Sequence, residues 1–121
     1  MTTQATTTFS VDAMRRAVES ADLDAFLDMF TEDVEWTEID QRTPPAAPAR
    51  LRGREPIGEQ VRAIVDRGIT ATIEDGFVAG DHGAVRLTCT YPSGGRVVEH
   101  ALFELRDGRI ARWSAVQAWD E

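Results

Sequence analysis

The stretch Asp22-Leu-Asp-Ala-Phe-Leu-Asp-Met-Phe-Thr-Glu-Asp-Val-Glu-Trp36 changes its apolar period partway along. Asp22 offers a side-chain oxygen to cap a helix, and Leu23, Phe26, Leu27 and Phe30 recur at helical spacing. A helix over about Asp22 to Phe30 is predicted. From Val34 the period falls to two, giving a strand from Val34 to Ile39. Val34, Trp36 and Glu38 share one parity, and Asp40 extends that face. Carboxylates are poor core residues. If this face looks inward, it looks into a cavity rather than a packed core.

Working outward, Ser10 can cap a first helix that runs to about Ala21, with Met14, Ala17 and Val18 inward. Gln41 to Gly53 carries three prolines and reads as a loop, of a length that often forms the mouth or lid of a site. Pro56 suits the first turn of a third helix that ends near Arg67, with Ile57, Val61, Ile64 and Val65 as its apolar stripe. Four strands are predicted after it, at Ile69–Ala79, Gly83–Tyr91, Arg96–Arg106 and Arg109–Trp119. Turn sequences separate them, including His82 in a Gly-flanked turn and the hairpin turn Asp107-Gly108. Helices first and antiparallel strands after give an α+β domain.

Composition narrows the chemistry. The 121 residues make one domain with 42% hydrophobic content, and no apolar run is long enough for a membrane span. The Thr-rich start lacks the basic and apolar parts of a signal peptide, so a cytoplasmic protein is expected. Cys89 is the single cysteine, which excludes an internal disulfide and reads as a small core residue. A net charge of −8 argues against nucleic acid and anionic membranes as partners. All 13 basic residues are Arg, which suits a GC-rich bacterial genome and rules out Schiff-base lysine chemistry. With two histidines, a three-histidine zinc site is impossible. Carboxylate or histidine chemistry, or simple binding, is left, with no metal and no cofactor expected.

Ala21-Asp22-Leu23, the segment Phe30-Thr-Glu-Asp-Val-Glu-Trp36 and the closing Asp107-Gly-Arg-Ile110 together resemble the SnoaL-like branch of the NTF2-like superfamily. The likeness spans about Val11 to Trp119. It implies a cone, with three N-terminal helices on the concave face of a strongly curved, mostly antiparallel sheet. Residues 1–9 would be a disordered tail and 10–121 the single domain. The fold hosts isomerases, cyclases, hydrolases and non-catalytic binding modules, so activity has to be argued from the site.

The resemblance also assigns candidate roles. Glu38 falls where the isomerase branch carries its carboxylate base, and Asp40 is a second candidate on the same parity. His100 lies on a strand whose histidine belongs to the acid/base set of SnoaL-like cyclases, and Asp120 is the nearest match to their final aspartate. The oxyanion donors of the steroid isomerases are missing, with Met14 in place of a tyrosine and Ala101 in place of an acid. The epoxide-hydrolase pattern also fails, because Ser114 and Ala115 follow Trp113. From the residues themselves, Trp113, Gln117 and Trp119 share a parity and would form an apolar wall with one hydrogen-bonding handle. With Trp36, Glu38 and His100 they are expected to line one cavity open toward the Pro44–Gly53 loop. The expectation is a cofactor-free cyclase- or isomerase-type enzyme acting on a small hydrophobic carbonyl or hydroxylated ligand. The alternative is a non-catalytic ligand-binding or dimerisation module. Arg86, Thr88 and Thr90 would mark the face of a homodimer.

Overall fold

The computed structural model describes residues 9–120. It has α1 (Val11–Glu19), α2 (Leu23–Leu27), β1 (Phe30–Ile39), β2 (Ala49–Arg52) and α3 (Arg54–Asp66). Four long strands follow: β3 (Thr70–Ala79), β4 (His82–Thr90), β5 (Arg96–Arg106) and β6 (Arg109–Trp119). The sheet order is β2-β1-β6-β5-β4-β3, antiparallel throughout except for the β1–β6 pair. The three helices pack on one face of the curved sheet, an α+β cone.

Local chemistry accounts for the helices. The Ser10 hydroxyl accepts from Ala13 N at 3.0 Å and caps α1. Ala21 takes a left-handed conformation (φ 56°) after α1, and Asp22 N closes back on the Ala17 carbonyl at 2.9 Å. The Asp22 carboxylate then caps α2 through Ala25 N at 3.1 Å. This second helix is shorter than its apolar spacing implies, because the strand begins at Phe30 rather than Val34. The Met29 carbonyl accepts from Ile110 N at 2.8 Å, and Phe30 pairs with Ile110. Sheet pairing has taken over the last turn of helix. The Pro-rich loop is also shorter than expected, since Ala49–Arg52 forms β2 against β1. His82 opens β4 instead of sitting in the turn.

An aromatic cluster joins these layers. Trp36 and Trp113 are neighbours across the parallel pair and stack at 5.1 Å with ring planes 15° apart. Phe103, opposite Trp113 on β5, stacks on its other side at 6.0 Å. Phe9 packs on Phe103 at 4.9 Å and is only 6% exposed, so it belongs to the core and not to a tail. The rest of the expected tail, 1–8, lies outside the described residues. No helix among the described residues is long and apolar enough to cross a membrane.

One irregularity decides the site. The Asp107-Gly108 turn has both residues at positive φ (53° and 79°), the geometry of a tight two-residue hairpin. Beyond it Leu105 pairs with Ile110, but Glu104 pairs with Arg112. Ala111 is therefore an extra residue, a β-bulge in β6. Every pairing farther along is moved by one.

Candidate functional site

Without the bulge, counting back from the hairpin would set His100 opposite Ala115, on the same face as Trp113 and Gln117. With it, His100 faces Val116 and Glu99 faces Gln117. Val97, Glu99, Ala101 and Phe103 are buried, while His100 and Leu102 are exposed. His100 is thus on the outer face of the sheet and does not meet Glu38, contrary to the expected cavity. Asp40 is also elsewhere. Its Oδ1 accepts from Arg42 N (2.7 Å) and Thr43 N (2.9 Å) in a turn past the end of β1. Asp120 Oδ2 accepts from Arg96 N just past the end of β6.

The inward face holds a cavity of about 290 Å³ between the sheet and the three helices. Met14 and Ala17 of α1, Phe26 of α2 and Ile64 of α3 supply apolar walls, with Trp36 and Trp113 on the sheet side. None of residues 44–53 lines it. Its exposed lining residues are Glu19, Ala21 and Asp22 at the α1–α2 corner, together with Val65, Gly68 and Thr70 at the end of α3. The mouth therefore lies between those corners, not at the Pro-rich loop. Trp119 does not line the cavity either.

Two carboxyls meet inside. Glu38 is 6% exposed and Glu99 5%. Glu38 pairs in register with Ala115 and Glu99 with Gln117, so Gln117, two residues past Ala115, stands between the acids. Its Nε2 donates to Glu38 Oε2 at 3.2 Å and to Glu99 Oε1 at 2.7 Å. Gln60 of α3 donates to Glu38 Oε1 at 3.2 Å. The Trp119 indole N–H donates in turn to Gln117 Oε1 at 2.9 Å.

Burial above all, and then the negative charge of Glu38, push the Glu99 carboxyl up to about 8. A hydrogen bond shared with Glu38 also keeps its proton on, whereas the Gln117 amide favours the charged form. The buried Trp113 indole N–H acts in the same sense as Gln117. At neutral pH the pair accordingly retains a proton. Cys89 lines the same cavity, and burial and then the charges of Glu99 and Glu38 push its thiol up to about 11, so it is no thiolate nucleophile.

Glu99 and Gln60 were the residues the sequence reading missed. The strand pattern of β5 is apolar on both parities, so only its pairing with β6 reveals which side faces in. Glu99 stands two residues before Ala101, on the same buried face of β5.

Similarity to known proteins agrees with this fold. The SnoaL-like domain matches residues 11–113. An NTF2-like protein of unknown function from Mesorhizobium loti superposes with a TM-score of 0.70 at 25% identity, over 91% of this chain and 89% of that one. A candidate polyketide cyclase from Sinorhizobium meliloti gives 0.66 at 26% identity, over 87% and 91%. A candidate ketosteroid isomerase from Kribbella flavida gives 0.69 at 19% identity, over 91% and 74%, a likeness of fold alone. No curated protein matches the chain. With the match over most of its length, the cone and the inward-facing pocket, the chain belongs to the SnoaL-like domain family of NTF2-like folds.

Proposed function

We propose that the cavity is the active site of a cofactor-free enzyme that moves a proton next to a carbonyl group, of cyclase or isomerase type. The observation that carries this reading is the buried Glu38–Gln117–Glu99 arrangement at one end of an apolar cavity. Two acids in one environment, one of them holding a proton, divide the roles of base and acid. Glu38 removes a proton from the carbon beside the carbonyl, and the electron pair moves onto the carbonyl oxygen. Glu99, as a neutral carboxylic acid, donates a hydrogen bond to that developing oxyanion. Glu38 returns its proton at a second carbon for an isomerisation. In a cyclisation, the enolate carbon attacks a second carbonyl of the same molecule, whose π electrons move onto its oxygen, and that alkoxide takes the proton back from Glu38. About 290 Å³ lies just under the range of roughly 300–1,000 Å³ usual for ligand pockets, so the substrate is small.

The test needs no knowledge of the natural substrate. Uncharged bicyclic ketones such as 1-indanone are incubated with the protein in D₂O, and α-proton exchange is followed by NMR. Exchange above the buffer rate is expected, and Glu38→Gln should slow it by roughly 10²–10⁴-fold, the scale of a positioned base. A Glu38→Gln protein that exchanges at the parent rate would remove Glu38 from the mechanism. We further propose a two-fold dimer through the outer sheet face, where Phe77, Leu102 and Val116 are 62%, 67% and 55% exposed beside Arg86.

A further inference from the structure

We propose that Trp119 is a positioning residue: its indole N–H holds the Gln117 amide with the NH₂ end toward Glu38 and Glu99, and so governs where the proton of that pair resides. An amide has unlike ends, two N–H donors on nitrogen and a bare acceptor on oxygen. The 2.9 Å bond from Trp119 Nε1 occupies the oxygen, which leaves both N–H groups for the two acids. In that orientation Gln117 stabilises negative charge on the pair. Turned over, it would set an oxygen against two carboxyl oxygens, an arrangement tolerable only with further protonation. Trp119 is itself held in place. Its backbone N donates to Gln41 Oε1 at 2.7 Å, and the Arg42 guanidinium lies 5.4 Å from its ring centroid. The turn after β1 thus fixes an amide that Trp119 touches and the substrate cavity uses.

Other titratable groups facing the pair do not account for this control. Cys89 on β4 remains a neutral thiol, and Glu19 and Asp22 stand at the cavity rim. Gln60 is the polar group that α3 directs at Glu38. Arg42 lies behind the Trp119 ring and does not line the cavity.

The inference rests on the proton-transfer reading only for its effect on turnover, so its test is read without turnover. Carboxyl-¹³C-labelled glutamate reports the titration midpoint of Glu99 by NMR. Trp119→Phe keeps a ring and removes the donor, and should raise that midpoint by about half a unit to one unit, the worth of one hydrogen bond. Gln117→Leu should raise it at least as far. In the Gln117→Leu background, Trp119→Phe should then add nothing, because its only route to the acids is gone. An unchanged midpoint in Trp119→Phe overturns the proposal, as does a shift that persists in the Gln117→Leu background. Should Trp119→Phe fail to fold, Gln117→Leu decides alone, and an unmoved midpoint there is equally fatal. A parent protein that exchanges no ketone protons above the buffer rate, with these shifts intact, would remove the enzyme reading and leave this one standing.

Discussion

Glu99 links the pocket to the stability of the whole chain. Its ordinary value is 4.5 and its folded value about 8, so between those limits the folded protein holds a proton that the unfolded chain has released. Stability therefore falls as pH rises through that window. The contribution of the neutral acid is intact below about 4.5 and is lost above about 8. The melting temperature at pH 9 should lie below that at pH 6 by roughly 5–10 °C, the effect of ~2 kcal/mol in a domain of this size. Glu99→Gln should flatten that dependence, since its amide has no proton to lose. Calorimetry at the two pH values is the check, and a parent protein equally stable at both would mean Glu99 is solvated when charged. Asp33 titrates in the opposite sense. A hydrogen bond from Arg106 at 2.6 Å, foremost, holds its carboxyl below the usual range, but both partners are exposed and solvent screens the pair.

Between strands, small residues decide how closely the sheet can pack. Gly83 on β4 stands opposite Phe103 on β5 and is buried. A Cβ there would lie 2.3 Å from Phe103 Cζ and 2.8 Å from the Phe77 carbonyl oxygen. The missing side chain is the seat of the Phe103 ring, which stacks on Trp113 and so supports the cavity wall. Gly83→Ala should cost ~1–3 kcal/mol through overpacking. Urea unfolding measures this, and a midpoint equal to the parent's would show that the ring has another place to go. The Asp33–Arg106 pair and the bond from Ile110 N to the Met29 carbonyl explain why the two sequence motifs occur together. The closing hairpin docks on the corner where α2 becomes β1.

For the whole molecule, the two faces of the sheet divide the work. One face encloses the cavity. The other exposes Phe77, Leu102 and Val116 around a shallow depression that includes Arg86 and His100. An apolar surface of this kind, rimmed by polar groups, is characteristic of an interface, and an isologous dimer would cover it. Light scattering at micromolar concentration should give twice the mass of one chain. Leu102→Asp should give a single chain with its pocket unchanged, because Leu102 points away from Glu99 and Glu38. A parent protein that runs as a monomer would sink the dimer.

Periodicity and turn chemistry determined a large part of this structure without help from the fold. The helical spacing about Phe26, the alternation from Val34 and the Asp107-Gly108 hairpin are local properties, set by backbone sterics and side-chain pattern. They also put Trp36 and Glu38 on one face, where they are found. What could not be read was any feature that depends on pairing between distant segments. The extra residue Ala111 leaves no local mark, since β6 alternates on either side of it. Yet it turns Glu99 inward and His100 outward, because a register shift of one exchanges the two faces of a strand. The recruitment of Phe30 into β1 and of Ala49–Arg52 into β2 had the same origin, in backbone bonds to strands far off in the chain. The types of chemical group in the site followed from the sequence, and which of them meet was decided by tertiary register.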